Sequence, residues 1–175
     1  MKKIPLELVK ELRNMTLASV ANCKSALEEA EGDVKKAAQL IRKRGLEIAA
    51  KKGERVAKEG RVEAYVHLGN KVGVLLEVDC ETDFVARNPE FCQFTKDLAM
   101  QITALNPAYI KCEDVPNDIL EQEKDKELFC KTHCLLEQAF VKDPSLSIKD
   151  YLGSLVAKLS ENIVIRRFIR YKIGE

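Results

Sequence analysis

Few side chains in this sequence could carry bond chemistry. There are six cysteines, Cys23, Cys80, Cys92, Cys112, Cys130 and Cys134, and two histidines, His67 and His133. No Cys-x-x-Cys pair occurs, the spacing is irregular and no export signal is present, so the cysteines read as reduced thiols, mostly buried. Cys130, His133 and Cys134 stand at i, i+3 and i+4 of a predicted helix, where they could share a face and ligate a metal. A structural zinc site needs a fourth ligand and usually a second ligand pair, and neither lies nearby in the sequence. Ordinary helix packing is therefore preferred, and no metal or cofactor is expected. No serine or cysteine pairs with His67, so a catalytic triad is poorly supported.

A different stretch is more informative: Glu81-Thr82-Asp83-Phe84-Val85-Ala86-Arg87-Asn88. It follows an alternating apolar run, Val72 to Cys80, that reads as a strand. It precedes Pro89-Glu90-Phe91, which reads as a first helical turn, with Asn88 as N-cap and Pro89 at the first helical position. The stretch is thus a strand-to-helix connection, a place where function is often carried. A solvated loop has no need of two adjacent large apolar residues. Phe84 and Val85 either turn inward as core or are held out as a wedge for a partner. Position alone favours core, because buried aromatics outnumber exposed ones.

The elements that must hold this connection follow from periodicity. Residues 1–45 read as three short helices. Leu6, Leu8, Val9 and Leu12 are apolar in the first. Ser19 caps the second, with Val20, Cys23, Ala26, Leu27 and Ala30 on one face. Asp33 caps the third, which carries Val34, Ala37, Ala38, Leu40 and Ile41 and ends at Gly45. Such modules usually bind another protein. Residues 46–61 are a charged segment, either a helical linker or a solvated tether. Residues 62–175 form the main domain. Val62 to Leu68 and Val72 to Cys80 make a hairpin about Gly69-Asn70. Residues 88–105 form an amphipathic helix, and a further helix begins at Val115-Pro116 and carries the charge run Glu121 to Glu127. Asp143-Pro144-Ser145 breaks the chain, and Ser147 with Asp150 makes a capping box for the next helix. In the final strand Ile163, Ile165, Ile169, Tyr171 and Ile173 share a face that Arg167 interrupts, so Arg167 is either paired or at a bulge. The fold class is α+β, with a mainly antiparallel three-stranded sheet covered by helices on one face.

The totals exclude several function classes. Net charge is +1, from 29 basic and 28 acidic residues, which gives no general drive toward nucleic acid or anionic membrane. Aromatic residues make up 6% and tryptophan is absent, which disfavours stacking platforms for single strands. No apolar run approaches the ~20 residues of a membrane helix. The basic start, Met1-Lys2-Lys3, lacks the apolar stretch of a secretory signal, so a cytoplasmic location is expected.

At Thr82-Asp83-Phe84-Val85-Ala86-Arg87-Asn88 the sequence resembles the elongation factor Ts family. The likeness extends to Val9-Lys10-Glu11-Leu12-Arg13 and Cys23-Lys24-Ser25-Ala26-Leu27, which look like that family's N-terminal ubiquitin-associated-type module. It continues through Lys71 to Thr82, Leu135-Leu136-Glu137-Gln138, Phe140 to Pro144, and Glu161 to Phe168. The resemblance implies a nucleotide exchange factor that does no bond chemistry. Its partner would be the G domain of elongation factor Tu, with no direct nucleic acid or membrane contact. It puts residues 82–88 at the exchange tip, with Phe84 as the wedge rather than core. It puts Leu12, Val20, Ala21 and Lys24 of the N-terminal module against the same partner.

Three departures stand out. The family's Thr-Gly-Ala-Gly-Met-Met stretch is Thr16-Leu17-Ala18-Ser19-Val20-Ala21 here. A Gly-Lys-Pro-containing helical segment between the equivalents of Leu128 and Leu135 is missing. Only one core unit is present, as in short members, which implies a homodimer where two surfaces are needed. The alternative is a protein-binding adaptor or ribosome-associated accessory without exchange activity.

Overall fold

The computed structural model describes residues 4–16 and 18–175. Met1, Lys2, Lys3 and Leu17, which belong to the basic start and to the altered 16–21 stretch, lie outside the described residues. Three helices come first: α1 (Leu6–Thr16), α2 (Val20–Glu29) and α3 (Val34–Lys52). Ser19 accepts the Asn22 N–H and Asp33 accepts the Lys36 N–H, so both caps fall where the sequence puts them. Val9, Leu12, Cys23, Ala26, Leu27, Ala37, Ala38 and Ile41 make a core of their own between these helices.

Gly45 does not end the third helix. α3 continues to Lys52, and Gly45 is buried within it. Its reason is tertiary. A Cβ on Gly45 would stand 3.2 Å from the backbone of Gly153, so the two glycines let two helices cross in close contact. The charged segment 46–61 is thus no tether along its whole length. Its first part extends α3, and its last three residues fall within β1 (Glu59–Val66).

β1 pairs antiparallel with β2 (Val72–Cys80), and β2 with the last strand, β5 (Ile163–Lys172). The order β1-β2-β5 is the expected sheet. Between the hairpin and β5 lie α4 (Asp83–Ala86), α5 (Pro89–Leu105), α6 (Asn117–Gln122), α7 (Lys126–His133), the short pair β3 (Ala139–Phe140) and β4 (Asp143–Ser147), and α8 (Ile148–Leu159). α5 and α8 cover one face of the sheet. Val74, Leu76, Val78 and Cys80 meet Phe91, Phe94, Leu98, Ile102, Leu155 and Val156 there. The Ser147–Asp150 capping box is formed in both directions.

Three expectations are corrected. The helix begun at Val115-Pro116 is two helices, because Glu123 leaves the helical region and Asp125 caps α7 anew through the Leu128 N–H. Asp143 to Ser147 is a strand, paired with β3, rather than a simple break. The isoleucines of β5 do not share one face. The register shifts so that Glu77 faces Arg167 while Val78 faces Ile165, which leaves Arg166 bulged out. Ile163 and Ile165 therefore point into the core, while Ile169 and Tyr171 are exposed on the opposite face. Arg166 pairs with Asp79 and Arg167 with Glu77, so these basic residues have their partners within the sheet.

The thiol reading also needs correction. Cys112 and Cys130 are joined as a disulfide across 18 positions, because a 3-10 turn at Cys112–Asp114 folds back onto α7. Cys23, Cys80, Cys92 and Cys134 are free. No helix among the described residues is long and apolar enough to cross a membrane.

Candidate partner-binding site

The connection after β2 is a single helical turn, α4, standing out from the end of the sheet. Thr82 is its N-cap: its backbone is extended, and its hydroxyl accepts the Val85 N–H. Arg87 closes the turn and pairs with Asp83 at 2.8 Å. Asn88 then caps α5, accepting the Glu90 N–H at 2.8 Å, with Pro89 at the first helical position.

Within this turn the side chains divide. Phe84 is 81% exposed. Val85 is half-buried and packs on the main core, and Ala86 is buried in it. Phe84 is thus held out while its two successors anchor it, so core is the wrong reading for Phe84 and holds in part for Val85. Ala86 belongs to the support of the turn and not to its outer surface. Its carbonyl accepts from the Cys92 thiol, and Arg61 reaches the same sulfur at 2.8 Å.

A clamp holds the base of the turn. The Glu161 carboxylate, at the α8–β5 junction, accepts the Thr82 hydroxyl at 2.6 Å and the backbone N–H groups of Thr82 and Glu81 at 3.0 and 3.1 Å. Glu81 returns the contact by accepting the Asn162 N–H at 2.6 Å. The Asn162 amide donates to the Arg55 carbonyl at 2.7 Å, which ties in the chain between α3 and β1. The bonds to the Glu161 and Glu81 carboxylates are charge-assisted and are the stronger ones here. Below the clamp, the Cys80 thiol donates to the Thr82 carbonyl at 3.1 Å. Burial first, then the Glu161 carboxylate, push this thiol up to about 11. It is therefore a structural donor rather than a nucleophile.

Glu161 and Asn162 are the residues that sequence reasoning missed as part of the site. They stand about 80 positions from the turn, and nothing in local pattern ties them to it.

On the N-terminal helices, Val20, Ala21 and Lys24 are exposed along α2. Val20, 52% exposed, therefore lies off the core face on which periodicity put it. Leu12 is fully buried among the three helices, so it shapes this surface from within and cannot touch a partner. The expectation of a contact through Leu12 is corrected on that ground.

The arrangement offers a rigidly mounted apolar tip and a second exposed surface on α2. The comparisons with known proteins agree on one family. The family model described as Elongation factor TS matches residues 2–129. The elongation factor Ts of Caldanaerobacter subterraneus subsp. tengcongensis is 48% identical, covering 98% of this chain and 98% of that protein. Those of Carboxydothermus hydrogenoformans and Thermotoga neapolitana are 46% and 44% identical, covering 98% and 99% of this chain and 90% and 98% of the relatives. The alignment with the first runs over 195 positions, 20 more than the 175 residues of this chain, so that relative carries residues with no counterpart here. This chain belongs to the elongation factor Ts family, a family of translation elongation factors.

Proposed function

We propose that this protein promotes exchange of GDP for GTP on elongation factor Tu, with Phe84 as the element that disturbs the magnesium and phosphate site of the G domain. The observation that carries this reading is the exposure of Phe84 on a turn capped at both ends and clamped by Glu161. An exposed phenyl ring contributes little to the fold, so the caps and the carboxylate clamp that hold it out are better explained by a partner than by stability. Mg²⁺ demands near-octahedral oxygen ligation and bridges nucleotide phosphates to the protein. A phenyl ring pushed between the helices that hold those ligands spoils the geometry.

The energetics bound the idea. The exchange factor binds the nucleotide-free partner more tightly than the GDP form, and by linkage weakens GDP by the same factor. A ~10³-fold faster release needs ~4 kcal/mol. Burying one phenyl ring supplies ~2–3 kcal/mol, so further contacts share the task. Thr82, Asp83, Val85, Arg87 and Asn88 serve to mount the ring, and Val20, Ala21 and Lys24 of a ubiquitin-associated-like module dock the rest of the G domain. A second copy of the chain packs on the uncovered face of the sheet, where Val62, Leu75, Ile169 and Tyr171 are exposed.

The test is release of a fluorescent GDP analogue from elongation factor Tu with catalytic amounts of this protein. Acceleration is expected, and its absence overturns the exchange reading. Light scattering is expected to give twice the chain mass, and Leu75→Glu to return it to one; a monomer for the parent protein removes the homodimer alone.

A further inference from the structure

We propose that Cys112, Cys130 and Cys134 form a three-thiolate site for a soft divalent cation, zinc foremost, which fastens the segment between α5 and β3 once the Cys112–Cys130 bond is reduced. The three sulfurs come from separate places: the 3-10 turn at Cys112, the last turn of α7, and the residue that closes α7. All three lie within 4.8 Å of one another. Thiolates on one tetrahedral zinc lie ~3.8 Å apart, because each Zn–S bond is ~2.3 Å. That spacing falls within the span the three sulfurs already occupy. Cys130 and Cys134 also have the separation of a zinc-binding cysteine pair.

A disulfide uses two of the three sulfurs and leaves Cys134 as a buried free thiol beside them. That residue is fully buried, and no hydrogen bond ties its sulfur among the described residues. The backbone on either side of it is held firmly. Cys134 N–H donates to the Cys130 carbonyl at 2.9 Å, Ala108 N–H to the His133 carbonyl at 2.9 Å, and Leu135 N–H to the Tyr109 carbonyl at 2.9 Å. The local core is small, with Val115 as its one other buried apolar residue among those described. Cores of this size are commonly tied by a disulfide or a metal. Acidic residues surround the site, Glu113 and Asp114 on the turn and Glu137 beyond α7. Lys111 pairs with Asp114, and Lys131 with Glu127. Cys112 is only half-buried, so water can reach the site and supply the fourth ligand that the protein does not.

The chemistry balances with a dithiol as reductant. The Cys112–Cys130 bond takes two electrons and two protons, and the dithiol leaves as its own disulfide. The three thiols then release their protons as the cation binds. Cysteines in reducing compartments are kept open in this way.

The experiment uses the full chain, reduced and freed of reductant under argon, then titrated with Co²⁺ alone and afterwards with Zn²⁺ alone. One Co²⁺ per chain is expected, with a sulfur-to-cobalt charge-transfer band and the intense visible bands of a tetrahedral site, all displaced by Zn²⁺. Cys92→Ser, outside the cluster, is expected to keep the bands; Cys134→Ser is expected to lose them. The melting midpoint of the reduced parent is expected to rise with Zn²⁺. Absence of the charge-transfer band in the reduced parent, or undiminished binding by Cys134→Ser, overturns the proposal. Where Cys134→Ser fails to fold, Cys112→Ser, at the half-buried position, replaces it: loss of the bands is expected, and undiminished binding overturns the proposal equally.

Discussion

The Thr82 hydroxyl donates to the Glu161 carboxylate at 2.6 Å across 79 positions of sequence, and this bond fixes the base of the turn that presents Phe84. A wedge must be mounted rigidly, because a mobile ring loses ordering entropy when it inserts.

Phe84→Ala is therefore expected to separate exchange from stability. Loss of the ring should slow exchange by roughly 30-fold or more, from the ~2 kcal/mol its burial supplies. The unfolding free energy should change by less than ~0.5 kcal/mol, as for other exposed positions. Urea unfolding and nucleotide release on the same preparation check both. A loss of several kcal/mol in the unfolding arm would mean that Phe84 serves the fold.

Glu161→Ala should act on both quantities. It leaves the Thr82 and Glu81 N–H groups and the Thr82 hydroxyl without their acceptor, which costs ~1–3 kcal/mol. With Phe84 still present, exchange should also fall. Glu161→Gln keeps an acceptor and should recover most of the stability. If Glu161→Ala exchanges as fast as the parent, the clamp plays no part in presenting the ring.

The α3–α8 crossing gives a third outcome. Gly45→Ala gains ~1 kcal/mol of helix propensity, yet its Cβ meets the Gly153 backbone at 3.2 Å, so the two effects roughly offset. Gly45→Val adds bulk that neither backbone can evade, and should cost ~1–3 kcal/mol. Calorimetric melting of both variants tests this. A Val variant as stable as the parent would show that the two helices separate freely.

Alkaline conditions probe Cys80. Its thiol is raised from 9.0 to about 11 in the fold, chiefly by burial. A raised folded value means that the folded chain holds the proton more tightly than the unfolded one. Its contribution is thus complete below about pH 9 and is lost as pH rises through about 11. The parent should lose stability more steeply over this window than Cys80→Ala, measured by urea unfolding at matched pH. Parallel curves would sink this assignment.

Sequence by itself determined the local parts of the protein. Capping chemistry at Ser19, Asp33, Asn88 and Ser147, the period-two runs of the hairpin and the helical period from Pro89 to Leu105 depend on neighbours within a few residues, so they are legible in one dimension. The family resemblance, carried by the motif at Thr82 to Asn88, marked Phe84 as a candidate for exposure.

Tertiary structure decided everything set by distant partners. Gly45 reads as a helix end until Gly153 is found against it, since the same residue type serves a C-cap and a close crossing. A single bulge at Arg166 turns Ile169 and Tyr171 away from the core, and a period of two cannot reveal a shift of one. Leu12 and Val20 look alike on a helical wheel, but only contacts with α2 and α3 bury the first and leave the second exposed. The same holds for Glu161 over Thr82 and for Cys112 beside Cys130 and Cys134. These groups meet only because the sheet and the folded-back turn bring remote segments together, and no local spacing encodes that.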